Sequence, residues 1–193
     1  VVEPYIIREE DRGDEHYNLA PDMNFIGLGG NGGGLAEQIA VERHWVHPVD
    51  DSVELDEAAL IEPLSVAHHA WVVAGSPTSG TAIIGGAGPI GALTATVLKG
   101  KGLKVYVSEL SELRRQRVLD AGVVDGAFDP REVDVPAKML ELTGGKGADC
   151  GFECTSVDAV LDMLLDAVRA NGVIVNESIW GHEPKVALHK LVM

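Results

Sequence analysis

The most constraining feature of the sequence is Gly86-Ala87-Gly88-Pro89-Ile90-Gly91, a G-x-G-x-x-G run between a short β-branched stretch, residues 82–85, and a helical pattern over 90–100. That strand, turn and helix setting gives the pattern its physical content. Gly86 permits the tight turn, Gly88 lets backbone approach a pyrophosphate, Gly91 allows helix and sheet to pack closely, and the helix N-terminus faces the negative charge. Gly86, Gly88, Pro89, Ile90 and Gly91 are therefore candidate cofactor-binding residues. The next strand, 104–108, ends at Glu109, 23 residues beyond Gly86. An acid at that spacing accepts hydrogen bonds from the adenosine ribose hydroxyls and repels a 2′-phosphate, which favours NAD over NADP. Arg114 and Arg115 lie nearby and leave room for phosphate recognition.

The pattern continues to alternate after Glu109. The spacing predicts a helix over 111–121 with Ser111 as N-cap and Gly122 as its stop, a short strand at 126–128, a helix over 133–142 and a strand over 148–153. A helix over 157–170 is expected, capped by Ser156, with Val160, Leu161, Leu164, Leu165 and Val168 on one face and Asn171-Gly172 as its stop. Residues 173–175 form the last clear strand. Such alternation predicts an α/β fold with a doubly wound, mostly parallel sheet.

The N-terminal part differs. Short β segments are expected at 5–7, 25–28, 35–41 (Ala36, Gln38 and Ala40 alternating) and 45–46. Residues 8–16 are too polar to face a core, and Gly29-Gly30-Asn31-Gly32-Gly33-Gly34 is expected to be a turn because no helix follows it. Helical character begins at Leu55, with a break expected at Glu62-Pro63 and a helix over 64–74.

Composition excludes several classes. Lys plus Arg number 15 against 30 Asp plus Glu, a net charge of −15. No basic face is available for nucleic acid or an anionic membrane. No apolar stretch reaches the ~20 residues of a membrane span. Two cysteines, Cys150 and Cys154, make no disulfide framework, and a reducing cytoplasm is the expected compartment. They lack a second pair for a zinc site, so core packing is their expected role. Gly144-Gly145-Lys146-Gly147 precedes a strand and reads as a turn, and adjacent His68 and His69 on a helix cannot share a metal. Glu62, read alone, is a helix-end carboxylate favoured by the helix dipole. The chain opens Val1-Val2-Glu3-Pro4 and ends Leu191-Val192-Met193 without a closing cap, and is expected to be an internal piece of a longer protein.

Taken in order, Glu3-Pro4-Tyr5-Ile6, Tyr17-Asn18-Leu19, Asn24-Phe25-Ile26-Gly27-Leu28, Glu62-Pro63-Leu64-Ser65-Val66, the glycine motif, Val107-Ser108-Glu109, Gly145-Lys146-Gly147-Ala148-Asp149 and Phe152-Glu153-Cys154-Thr155 make the chain similar to medium-chain zinc-dependent alcohol dehydrogenases. The branch it resembles is that of (R,R)-butanediol and sorbitol dehydrogenases. The resemblance implies that residues 1–64 are the later part of a GroES-like catalytic domain and that 65–193 are a Rossmann domain lacking its last strand. It implies hydride transfer between NAD and a small secondary alcohol, vicinal diol or polyol, or the matching ketone, at a catalytic zinc. Glu62 inherits a zinc-ligand or zinc-adjacent role and is the only catalytic candidate in the chain. Arg114 is placed near the adenosine ribose, Thr155 at the cofactor and Val175 near the nicotinamide. The remaining zinc ligands, a cysteine and a His-Glu pair, are expected upstream of Val1. Residues 6–20 hold none of the family's four structural cysteines, so no structural zinc is expected. A homodimer or homotetramer is implied. Two alternatives stay open: a non-catalytic NAD-binding module and a zinc-independent enzyme of the quinone reductase kind.

Overall fold

In the computed structural model, which describes residues 1–13, 16–28 and 32–192, the chain separates near the start of a helix into two units, Val1–Glu62 and Pro63–Met193. In the first, β1 (Tyr5–Ile6) pairs antiparallel with β2 (Asn24–Phe25), setting Tyr5 opposite Phe25. Tyr5 is the hub of an aromatic cluster, with ring centroids 5.4 Å from Phe25, 5.6 Å from Tyr17 and 6.1 Å from the buried Trp45. Glu3 braces the cluster from one side, accepting from the Tyr17 hydroxyl at 2.6 Å and bonding the His47 ring.

Two expected strands do not form here. Residues 34–37 are bends, Arg43–Trp45 is a 3-10 turn, and Val46 makes only an isolated bridge to Val2. Alternation needs a face to bury and a strand to pair with. Leu35 and Ile39 are exposed, so 35–41 has neither. In the polar stretch after Ile7, Arg8, Glu9, Glu10, Gly13 and His16 are exposed as expected, Asp11 and Arg12 are half-buried, Glu9–Asp11 forms a short 3-10 turn, and residues 14 and 15 lie outside the described residues. Part of the turn expected at Gly29–Gly34, namely Gly29, Gly30 and Asn31, lies outside the described residues.

A single turn, α1 (Leu55–Ala58), precedes α2 (Ile61–Val73). The interruption expected at Glu62-Pro63 falls two to three residues earlier, and Pro63 sits inside the first turn of α2. Proline is accommodated there because first-turn N–H groups have no intrahelical partner to lose.

The second unit is built on β3 (Thr81–Gly85), α3 (Pro89–Gly100), β4 (Lys104–Ser108), α4 (Glu112–Asp120), β5 (Gly126–Phe128), α5 (Val135–Leu142), β6 (Ala148–Glu153), α6 (Asp158–Ala167) and β7 (Val168–Asn176). The strands form one parallel sheet in the order β5-β4-β3-β6-β7, the expected doubly wound arrangement. Strand order reverses between β3 and β6, whose carboxyl ends are level, since Gly85 is opposite both Ser108 and Glu153. Side chains alternate across the sheet. Ile84, Val105, Val107 and Phe152 pack with Ala95 and Leu98 of α3, Val118 of α4 and Ala70 of α2. Ile83 points the other way, with Met139 of α5 and Leu164 and Ala167 of α6.

Element ends supply the corrections. Ser156 does not cap α6: it takes a left-handed φ of 59°, Val157 is the N-cap, and the Ser156 hydroxyl donates to the Ile179 carbonyl at 3.0 Å. Helix α6 stops at Ala167, and residues 168–170 already belong to β7. Ala148 faces Val168 whereas Cys150 faces Val173, so β7 carries an excursion between these pairs. Asn171, at φ 59°, supplies its left-handed turn, which asparagine tolerates. Asn171-Gly172 thus bends a strand rather than ending a helix. Helix α5 begins at Val135 rather than 133, because the Asp134 carboxylate caps it by accepting from the Ala137 N–H at 3.1 Å. Gly144, Gly145 and Gly147 all take positive φ in a turn before β6, as expected. No helix among the described residues is long and apolar enough to cross a membrane.

The inward face of α6 centres on Leu164, which is fully buried, whereas the adjacent Leu165 is only half-buried. Leu164→Ala is expected to cost about 2–5 kcal/mol. Leu165→Ala is expected to cost less than half as much, and urea denaturation of the two variants checks the difference.

Candidate functional site

Residues at the carboxyl ends of β3, β4, β6 and β7 converge on the crevice where strand order reverses, the place where doubly wound sheets bind ligands. Gly86 has φ 95°, and a Cβ there would lie 2.6 Å from Thr155 Cγ2. A Cβ on Gly91 would fall inside the carbonyl oxygen of Gly86, so α3 can rest against the loop only with glycine at that position. Gly88 is open on its Cβ side. It is also the N-cap of α3, with Pro89 in the first turn and no side chain capping that end. The first-turn N–H groups of α3 are therefore left to an external acceptor, and the helix dipole favours an anionic one.

Glu109 is anchored to this loop. It is nearly buried, its Oε2 accepts from the Ala87 N–H at 2.8 Å and its Oε1 from the Ser111 N–H at 2.8 Å. Each carboxylate oxygen keeps acceptor capacity beyond that one bond. Arg114 Nη1 stands 3.9 Å from Glu109 Oε2. Behind Glu109 the backbone is held by two arginines. Arg115 donates to the carbonyls of Glu109 (2.7 Å) and Leu110 (2.9 Å), and Arg131 donates to Leu110 (3.0 Å). Both also meet the buried Asp129, Arg131 through two hydrogen bonds and Arg115 at 3.1 Å.

The β6 end carries a second buried carboxylate. Glu153 is fully buried, and it accepts from the Thr155 N–H at 2.7 Å, the Thr155 and Ser178 hydroxyls, and the Ser156 N–H at 3.1 Å. Glu153 thereby ties the loop after β6 to the loop after β7 and holds Thr155 against Gly86. Just beyond β7, Glu177 accepts from the Thr94 hydroxyl of α3 at 2.8 Å and from the Cys154 thiol at 3.5 Å. Burial, with a further push from Glu153, raises Glu177 to about 7, against lowering by its Thr94 and Cys154 hydrogen bonds. Burial raises Cys150 to about 12, and burial followed by the Glu177 charge drives Cys154 higher still. A raised thiol disfavours the nucleophilic thiolate at both positions, which agrees with core packing. Val175, opposite Phe152 in β7, is buried within the core cluster.

Glu62 lies in the first turn of α2 and is exposed. In that unit, burial, then Glu3, then Glu62 raise the Tyr5 phenol. Among the described residues no group of three or more His, Cys, Asp or Glu side chains is placed to hold a metal.

Sequence spacing pointed to Gly86, Gly88, Gly91 and Glu109, and the family resemblance to Arg114 and Thr155, and the fold brings these six to the carboxyl end of the sheet. Three further carboxylates there, Asp129, Glu153 and Glu177, carry no spacing signature. Their only signal was an acid directly at or just past the end of an apolar strand, as in Phe152-Glu153.

The sheet order and the glycine loop define a doubly wound, Rossmann-like fold. A family model described as zinc-binding dehydrogenase matches residues 89–193. An (R,R)-butanediol dehydrogenase of Neisseria gonorrhoeae is 54% identical over 195 residues, covering 100% of this chain and 55% of that protein. One from Bacillus subtilis is 36% identical over 182 residues, covering 93% of this chain and 51% of its own length. The crystal structure of 2R,3R-butanediol dehydrogenase from Bacillus subtilis superposes with a TM-score of 0.89 at 32% identity, covering 100% of this chain and 55% of that one. This chain belongs to the zinc-binding dehydrogenase family. It spans about half the length of the curated relatives it matches.

Glu177 generates a pH dependence. Its folded value of about 7 exceeds the ordinary 4.5, so between these limits the folded chain holds a proton that the unfolded chain has released. The resulting cost is absent below that window, grows as pH rises through it and is complete above it. Glu177→Gln, which keeps an acceptor for Thr94, is therefore expected to raise Tm by several degrees at about pH 8 and hardly at all near pH 4.5. Thermal melts of both proteins across this range check the sign.

Proposed function

We propose that this chain is the nicotinamide-binding part of an NAD-dependent dehydrogenase that interconverts a small secondary alcohol, vicinal diol or polyol and the corresponding ketone. The observation that carries the reading is the pairing of an uncapped helix behind an open Gly88 with a carboxylate, Glu109, hydrogen-bonded to the same loop. In this reading the first-turn N–H groups of α3 take the pyrophosphate, and Glu109 uses its remaining acceptor capacity for the adenosine ribose hydroxyls. Arg114, beside Glu109, flanks the adenosine. Thr155, held by Glu153 against Gly86, and Val175, near the end of β7, lie toward the nicotinamide half. Bound NAD would supply the hydride acceptor for alcohol oxidation. The choice of diol or polyol follows from the butanediol dehydrogenases that the chain resembles, since no described side chain here reads a substrate.

Zinc stands differently. Tetrahedral zinc takes four ligands, and the described residues do not assemble such a set. Glu62 would contribute one at most, with the others supplied by protein outside these 193 residues.

Fluorescence titration with NADH and NADPH tests the cofactor reading. The protein is expected to prefer NADH, and Glu109→Ala to weaken NADH binding about tenfold, the worth of one charge-assisted hydrogen bond. Equal affinity of the unmutated protein for both dinucleotides would sink the assignment to Glu109. Assay of the whole protein with 2,3-butanediol separates the dehydrogenase from a module that binds NAD without alcohol-dependent reduction.

A further inference from the structure

The charged group behind Glu109 has no part in holding NAD in the reading above, yet it is well ordered in its bonding. Asp129 is only 5% exposed and lies one residue beyond β5. Arg131 grips it in a fork, Nε to Oδ1 at 2.9 Å and Nη2 to Oδ2 at 2.5 Å, and Arg115 Nη1 approaches Oδ2 at 3.1 Å. The same two guanidinium groups reach the carbonyls of Glu109 and Leu110. Two cations thus sit directly at the strand end where the 2′ position of the ribose is read. An arginine at that point is the usual means of accepting a 2′-phosphate. Arginine is suited to it, because its planar fork matches phosphate oxygens as well as it matches a carboxylate.

We propose that Asp129 is a specificity-determining residue for the cofactor, which keeps Arg115 and Arg131 occupied so that neither can serve the 2′-phosphate of NADP. This rests on the NAD reading of the Glu109 site and adds a second layer to it. Glu109 repels the phosphate, and Asp129 withholds the cations that would attract it. The hydrogen bonds from Arg131, with the charges of Arg131 and Arg115, hold the Asp129 carboxyl well below the usual range.

Fluorescence titrations with NADH and NADPH on the unmutated protein, Asp129→Asn and Asp129→Asn/Arg131→Gln decide the matter. Asp129→Asn is expected to shift the NADPH-to-NADH affinity ratio at least about tenfold toward NADPH, the scale of one charge-assisted contact, and Arg131→Gln to reverse most of that shift. A merely structural role for Asp129 weakens both dinucleotides together, so an unmoved ratio in folded Asp129→Asn overturns the proposal. Should that variant not fold, Arg131→Gln alone is decisive. With Asp129 already occupying the arginine, its loss is expected to leave the ratio within about twofold. A collapse of NADPH binding instead means that Arg131 already serves the phosphate, and the proposal falls. If the unmutated protein binds neither dinucleotide, the cofactor reading falls and takes this one with it. NADH binding with an unmoved ratio overturns this proposal alone.

Discussion

Helix α3 rests against the glycine loop because nothing projects from Gly91 toward the carbonyl oxygen of Gly86. That one backbone approach sets the remaining geometry of the crevice. It brings the helix N-terminus to the reversal point of the sheet, leaves Gly86 pressed against Thr155 and aims the Ala87 N–H at Glu109. A loop of three residues, Gly86–Gly88, is thereby tied to the ends of three strands. A side chain at Gly91 would push the helix outward and open all of these contacts together.

The second unit was legible from the sequence because its periods change cleanly. Short β-branched runs alternate with helical patterns, and the side chains of Ile83 and Ile84 were bound to face opposite layers once the sheet was covered on both sides. Boundaries were less legible where a residue had two competing uses. Pro63 reads as a breaker but is harmless in a first turn, Ser156 reads as a cap but bonds Ile179, and Asn171-Gly172 reads as a stop but shapes an excursion in β7. In the first unit, alternation over 35–41 carried no information about pairing, because alternation does not specify a partner.

Glu109 could be found by counting, since strand, loop and helix lengths fix its distance from Gly86. Asp129, Glu153 and Glu177 could not. Asp129 and Glu153 bond near neighbours in sequence, Arg131 and Thr155, but each of the three also has a partner that only the folded sheet brings close: Arg115 for Asp129, Ser178 for Glu153 and Thr94 for Glu177. The strongly acidic composition masked them further, as three carboxylates among 30 give no compositional signal. What separates them from the solvated majority is burial with donors to match. Glu153 meets several donors, whereas Glu177 meets two and sits beside another carboxylate, which is why burial weighs on its ionisation.

The two cysteines differ in burial, and that difference has a use. Cys150 is in the middle of β6, the strand that pairs with β3 on one side and β7 on the other, and Cys154 lies just past its carboxyl end. A maleimide added to the native protein can modify the buried Cys150 only when the local structure opens, so its rate of labelling becomes a clock for that opening. Mass spectrometry of the digested product tells the two sites apart. Labelling of the partly buried Cys154 serves as the reference for a reachable thiol, and labelling of Cys150 times the separation of the sheet, all without changing a residue.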